Sequence, residues 1–357
     1  MYRLLSIILL FSLTVQAQED SVKSKFTWGA YAEAFYSYNF NRPPTEQKLP
    51  FLYSYNRYQQ LSMNLLMGRM SYQSKRFRSA LAVAAGTYMD DNLESEDAVW
   101  GQVFEASLGV KLIKEKQLWL DAGIFPSHIG FESAIGADQL TLTRSMMADN
   151  SPYYESGLKL SFTSLNEKWY LAVLCVNGWQ RSIRFGEGFN PAFGHQISYK
   201  PTTSLMLNSS SFIGDDRYIL FKRKRYFHNF YANWKINDRW SLTGGFDIGW
   251  EEKLNDPSRM DTWYTPVAIV GFNVSDRHRI AGRVEYYRDV NGVIIDYPQP
   301  TGFQTAGYSV NYDYWISKRS CFRIEARKFS SAQPIFIASN GVVSNNSFLT
   351  TSLSIRL

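Results

Sequence analysis

The sequence predicts an all-β fold, a transmembrane antiparallel β-barrel of about sixteen strands with short periplasmic turns and long extracellular loops. Three observations carry that expectation. The chain opens on an export signal, it holds no apolar run long enough for a membrane helix, and strand-like segments follow one another with connections that alternate in length.

The export signal comes first. Arg3 precedes an apolar stretch from Leu4 to Leu13, and Val15-Gln16-Ala17 offers small side chains at cleavage spacing. The stretch is too short to span a bilayer, so residues 1–17 read as a cleaved signal peptide and the mature chain starts at Gln18. No cysteine stands near the cleavage point, which excludes an acylated lipoprotein. Later apolar runs, such as Leu171–Val176 and Ala80–Ala85, fall far below the roughly 20 residues a membrane helix needs. A chain that enters a membrane without helices must close a barrel to satisfy its backbone.

Composition agrees. Aromatic residues make up 16%, including 23 Tyr and 10 Trp, the side chains that form girdles where a barrel wall meets lipid headgroups. The mean hydropathy of -0.28 fits strands with one wet face. The formal charge of +6 falls by one with the signal peptide, and a charge so modest and so mixed excludes nucleic acid as the expected partner. Cys175 and Cys321 lie singly in strand segments and form no disulfide framework.

Strands are expected at 26–38, 57–73, 76–88, 99–112, 117–125, 153–163, 168–177 and 193–200. The second half continues at 203–213, 225–236, 239–250, 262–274, 277–288, 303–316, 319–329 and 347–357. Many alternate as wall strands do. In the first, Trp28, Ala30, Ala32, Ala34 and Tyr36 share a face opposite Glu33, Ser37 and Asn39; in the thirteenth, Arg283 and Glu285 oppose Val284 and Tyr286. Short connections at 74–75, 113–116, 164–167, 201–202, 237–238, 275–276 and 317–318 alternate with long ones at 39–56, 89–98, 126–152, 178–192, 214–224, 251–261, 289–302 and 330–346. A soluble sandwich has no reason to keep that parity, whereas an outer-membrane barrel has tight turns on one side only. The final strand ends on Leu357, an apolar terminus of the kind that serves as an insertion signal, and one barrel over 18–357 is expected to account for the mature chain.

Charges at strand positions suit a wet lumen better than a dry core: Glu33, Arg69, Glu105, Asp121, Glu155, Lys159, Asp247, Arg283, Glu285, Arg323, Glu325 and Arg327. The alternative is that Arg and Glu on neighbouring strands pair and brace the wall. The connection 126–152 is the longest, and it carries His128, Phe131, Glu132, Asp138, Arg144, Met146 and Met147 with little other charge. Such a loop is expected to pack inside the barrel and narrow it, with His128, Glu132, Asp138 and Arg144 as constriction candidates; an outward lid is the alternative. The acidic run 89–98 and the basic run 222–225 read as solvated rims, the second with some capacity for lipopolysaccharide phosphates.

Enzymatic chemistry lacks a constellation. The four histidines His128, His195, His228 and His278 come with no G-x-S-x-G or H-E-x-x-H motif, and His128 with Glu132 is too few ligands for a metal. No cofactor is expected.

The run LDAGIFPSHIGFESAIG at 120–136, with TRSMMADNSPYYESGLKLSF at 143–162 and VNGWQ at 176–180, resembles the OmpL-like β-barrel porins of Bacteroidetes. The matching residues are Gly123, Phe125, Thr143, Arg144, Ser145, Ser151, Pro152, Tyr153 and Tyr154. The resemblance implies a porin fold integral to a Gram-negative outer membrane, in contact with lipid and lipopolysaccharide and with other outer-membrane proteins in reach. Two functions follow as expectations. One is a passive diffusion channel for small hydrophilic solutes; the other is a plugged barrel serving as an accessory subunit of an outer-membrane complex.

Overall fold

The computed structural model describes residues 24–44, 49–93, 100–183, 190–215, 223–297 and 302–357. The expected signal peptide, residues 94–98 of the acidic run and Lys222 of the basic run lie outside them. The chain runs through β1 (Lys25–Asn39), β2 (Leu61–Gln73), β3 (Phe77–Ala85), β4 (Val103–Lys111), β5 (Gln117–Pro126) and β6 (Tyr154–Thr163). It continues through β7 (Trp169–Val176), β8 (Ala192–Tyr199), β9 (Leu205–Asp215), β10 (Lys224–Lys235), β11 (Trp240–Lys253) and β12 (Asp256–Ser275). The last part comprises β13 (His278–Asp289), β14 (Phe303–Ser317), β15 (Ser320–Ser331), a small hairpin of β16 (Phe336–Ala338) and β17 (Gly341–Val343), and β18 (Asn345–Arg356). Two short helices, α1 (Thr87–Asn92) and α2 (Met146–Asp149), sit in loops. Every wall strand pairs antiparallel with its sequence neighbours, β18 following β15, and β1 closes on β18 to complete a sixteen-stranded barrel.

Closure follows from side-chain alternation. Along β1 the inward positions Tyr31, Glu33, Phe35, Ser37 and Asn39 are buried, while outward Trp28 and Tyr36 are exposed. Leu108, Val173 and Val310 are likewise outward and exposed, as lipid-facing residues should be. The short-turn rim carries aromatic pairs, Trp169 stacked on Tyr199 at 4.1 Å and Trp240 tilted against Phe272 at 4.6 Å. Polar residues tighten those turns: the Asn237 carboxamide accepts from the amides of Arg239 and Trp240 at 2.9 and 2.8 Å, and Ser74 Oγ accepts from Phe77 at 2.9 Å.

One connection differs from expectation. The 251–261 segment is not a long loop; β11 and β12 run on and turn through residues 254–255, and β12 reaches 20 residues. Pro257 and a dense mixture of charges hide the alternation there, but those charges pair across strands. Glu251 meets Arg223 and Arg225 at 2.7 and 2.6 Å, and Lys253 meets Asp261 at 3.1 Å. The register slips between Glu252 and Lys253, which absorbs the proline region. A smaller difference concerns local form: residues 87–92 form α1, where a strand ending at residue 88 and then a loop were expected.

Candidate functional site: the lumen and the loop that crosses it

The lumen is built by the inward faces of the strands and by the segment 127–153, whose base is closed by the Ser127 amide donating to Tyr153 O at 3.0 Å. From β5 the segment first touches the β9–β10 wall. His128 Nε2 lies 2.8 Å from Ser211 O, Ser210 Oγ donates to His128 O at 2.7 Å, and the Gly130 amide donates to Asn229 at 3.2 Å. It then crosses to the opposite side, where the Ala137 amide donates to Tyr31 OH at 3.3 Å and Arg356 reaches Asp138 at 2.6 Å. From there it climbs the β13–β15 wall into α2, capped by Ser145 Oγ accepting from the Ala148 amide at 3.2 Å.

The β13–β15 wall holds the segment through charged side chains. Arg323 and Arg279 converge on Asp313 at 2.6 and 2.8 Å, and their guanidiniums also donate to Gln139 O at 3.1 and 2.6 Å. Arg283 donates to Glu325 at 2.9 Å and Arg327 to Glu285 at 2.6 Å, while the Met146 amide donates to Glu285 at 2.6 Å. Arg283, Glu285, Arg323, Glu325 and Arg327 are all buried, so they grip the loop rather than face water. Carbonyls and amides of the loop add hydrogen bonds to these groups, which helps make ions tolerable at such depth. Asp313 and Arg279 belong to this cluster although the sequence reading passed over them; the signal was parity, because 279, 281 and 283 share one face of β13.

Other candidate residues divide similarly. Glu33 is buried and accepts from Tyr55 OH at 2.7 Å, Tyr31 OH at 3.0 Å and Ser352 Oγ at 2.9 Å. Asp247 is buried against Asn229, and Glu155 is buried with its carboxylate 3.9 Å from His128 Nδ1. These three likewise face packed protein where a wet lumen was expected, because the crossing segment covers them. Within the loop, burial pushes the His128 imidazole down to about 4. Burial also raises the Glu132 carboxyl, opposed by Arg283 and by Ser145, whose amide lies 3.1 Å away. Asp149 is pushed up to about 6 by burial, against the pull of Arg144 and of Ser54, which donates to it at 2.8 Å. Arg144 is buried, donating to Tyr88 OH and Ala148 O at 3.0 Å each, with its guanidinium 4.0 Å above the Tyr153 ring. Asp138 stays partly exposed at the periplasmic end.

Recesses remain on either side of the segment, the first on the β2–β7 side. A recess of about 320 Å³ is lined by Arg69, Arg78, Glu105, Asp121, Lys159 and Tyr170, with serines between them. Arg69 meets Glu105 at 2.9 Å, and Arg78 Nε meets Asp121 at 2.6 Å. A second recess of about 410 Å³ lies beneath the loop against β8–β12, lined by Phe131, Leu140, Lys200, Asn233 and Thr243. Part of the extracellular mouth is apolar by contrast. Leu49, Phe51 and Leu52 of the first long loop join Val293, Ile295, Ile335 and Phe336 of the last two, over inward Phe303, Phe329 and Trp263.

Comparisons place this architecture. A profile described as "Putative beta-barrel porin-2, OmpL-like" matches residues 25–357. A comparison with curated proteins gives no match. Among solved structures, the anion-selective porin from Comamonas acidovorans superposes with a TM-score of 0.62 at 8% identity, covering 94% of this chain and 100% of that one. The outer-membrane channel DcaP of Acinetobacter baumannii gives 0.61 at 8%, over 95% and 99%, and a Salmonella typhi OmpF complex with daunomycin gives 0.59 at 9%, over 94% and 98%. At such identities the likeness shows the fold alone. The profile match over nearly its whole length places this chain in the OmpL-like β-barrel porin family, and the closed sixteen-stranded barrel agrees with it.

Proposed function

We propose that the protein is a passive channel for small hydrophilic solutes, integral to the outer membrane, with the 127–153 segment setting the width of its lumen. The observation that carries this reading is the asymmetry of the lumen. The segment is tied to the β13–β15 wall by buried ion pairs, while the β2–β7 wall keeps an open, charged recess. Solutes would move down their gradient with no cofactor and no covalent step, sorted by size at the loop and by charge at the wall. The outward apolar wall and its rim aromatics fit lipid contact, and a lipopolysaccharide leaflet on the long-loop side.

A second reading has its own support. The apolar cluster of Leu49, Phe51 and Leu52 on Phe303 and Phe329 covers part of the outer mouth, as expected of a capped barrel acting as an accessory subunit beside other outer-membrane proteins. Swelling of liposomes carrying the purified, folded protein separates the two. A channel admits pentoses faster than disaccharides, whereas a capped barrel admits neither.

A further inference from the structure

The β2–β7 recess holds more positive than negative charge where water can reach it. Glu105 and Asp121 each face an arginine, and the geometry of these pairs is uneven. The two carboxylates retain 9% and 8% exposure while Arg69 and Arg78 retain 47% and 33%. The acids sit at the back and the guanidiniums stand in front. Lys159 adds a third cation on the neighbouring strand, opposite Asp121 in register. Its Nζ rests 4.3 Å from the centre of the Phe125 ring, and no carboxylate lies within 4 Å of it among the described residues. An aromatic face steadies an ammonium without cancelling its charge. Lys111, above Trp119 at 5.9 Å, extends the same sign toward the periplasmic rim. The larger set of arginines on β13–β15 cannot contribute to the same degree, because Arg283, Arg323 and Arg327 are sealed beneath the loop.

We infer that this recess selects small anions, carboxylate or phosphate groups among them, and that Lys159 is the residue that sets the preference. The inference rests on the channel reading above. A single unit charge about 6 Å from a passing ion in water changes its local concentration by about threefold, and it acts oppositely on anions and cations. That suffices to set a permeability ratio without binding so tight that it stalls flow.

Reversal potentials across a planar bilayer with a potassium chloride gradient test it on the full mature chain. The wild-type channel is expected to favour chloride. Lys159→Gln should lower the chloride-to-potassium ratio by about threefold or more, Lys159→Glu should invert it, and Lys159→Arg should retain it. Replacing chloride by acetate or by phosphate tells which anion the recess favours. A conducting channel that prefers potassium, or whose ratio is the same in Lys159→Gln, overturns the inference and leaves the channel standing. Folded protein that never conducts overturns the channel reading, and the inference with it. Heat-dependent gel mobility confirms that each variant has folded.

Discussion

Arg283 on β13 and Glu325 on β15 meet at 2.9 Å across the intervening strand, both side chains fully buried, and together they clamp Thr143 of the crossing segment. Arg283 donates to Thr143 O at 2.6 Å and to Thr143 Oγ1 at 3.0 Å, and the Thr143 amide donates to Glu325 at 2.5 Å. The wall thus supplies both signs of charge, and the loop supplies a donor and acceptors that match them. Neither the pair nor the loop is well satisfied alone.

The clamp makes this ion pair one of the main contacts that hold the loop against the β13–β15 wall. Arg283→Ala leaves Glu325 without its arginine partner, and breaking a buried pair typically costs about 3–5 kcal/mol. Protease cleavage within 127–153 is expected to become fast in the variant while the barrel keeps its heat-dependent mobility. Replacing both partners together, Arg283→Leu with Glu325→Leu, should restore much of the protection. Equal protease resistance in wild type and Arg283→Ala would contradict the clamp.

Two buried titratable groups of the loop oppose one another with pH. The Asp149 carboxyl sits at about 6, above its ordinary 3.8, so its contribution to stability is complete below the ordinary value and lost as pH rises through 6. The His128 imidazole sits at about 4, below its ordinary 6.5, so its contribution is present above 6.5 and lost as pH falls through 4. Between those limits the slopes have opposite sign. Asp149→Asn combined with Glu132→Gln, which removes the loop's other raised carboxyl, should therefore yield a loop that loosens on acidification, and His128→Gln one that tightens. Hydrogen exchange at the Thr143 and Met146 amides, corrected for intrinsic rate, reads this; parallel profiles in the two variants would refute it.

The apolar mouth depends on a close approach at one glycine. The Trp263 ring lies over Gly249, and a Cβ there would fall within 2.0 Å of ring carbon. Gly249→Ala forces the indole aside and should cost about 1–3 kcal/mol through overpacking. Tryptophan fluorescence is expected to shift to the red as the ring meets water. An unchanged spectrum with unchanged thermal stability would show that the ring has room to spare.

Phe51 is the centre of that mouth, edge-on to Phe303 at 4.7 Å and to Phe329 at 5.6 Å. Phe51→Ala removes a ring from a packed cluster, a change that typically costs about 3–5 kcal/mol. Faster entry of pentoses into liposomes is expected if the cluster restricts flow. An unchanged rate would place the restriction at 127–153 alone.

The barrel was legible because its signals are local and repeated. Alternation on β1 and β13 and the parity of the connections survive without any long-range information. Where local signals conflict, as at Pro257 among charged residues, the visible alternation ends before the strand does; cross-strand pairs such as Lys253 with Asp261 decide that region, and they are non-local. The charged positions were visible as charged, and their inward face followed from alternation. Whether an inward charge meets water or a loop was not. Arg283 and Lys159 look alike in sequence, yet one is sealed by Thr143 and the other stands in an open recess, because the path of a 27-residue connection is fixed by tertiary contacts alone.

The most direct test of a channel whose width is set by the 127–153 segment is single-channel conductance in a planar bilayer, for the intact protein and for a variant lacking residues 130–148. Small, stable steps that grow severalfold on excision are the expected result. A folded protein that is silent when intact, whether or not excision opens it, would contradict the account and favour the capped, accessory barrel.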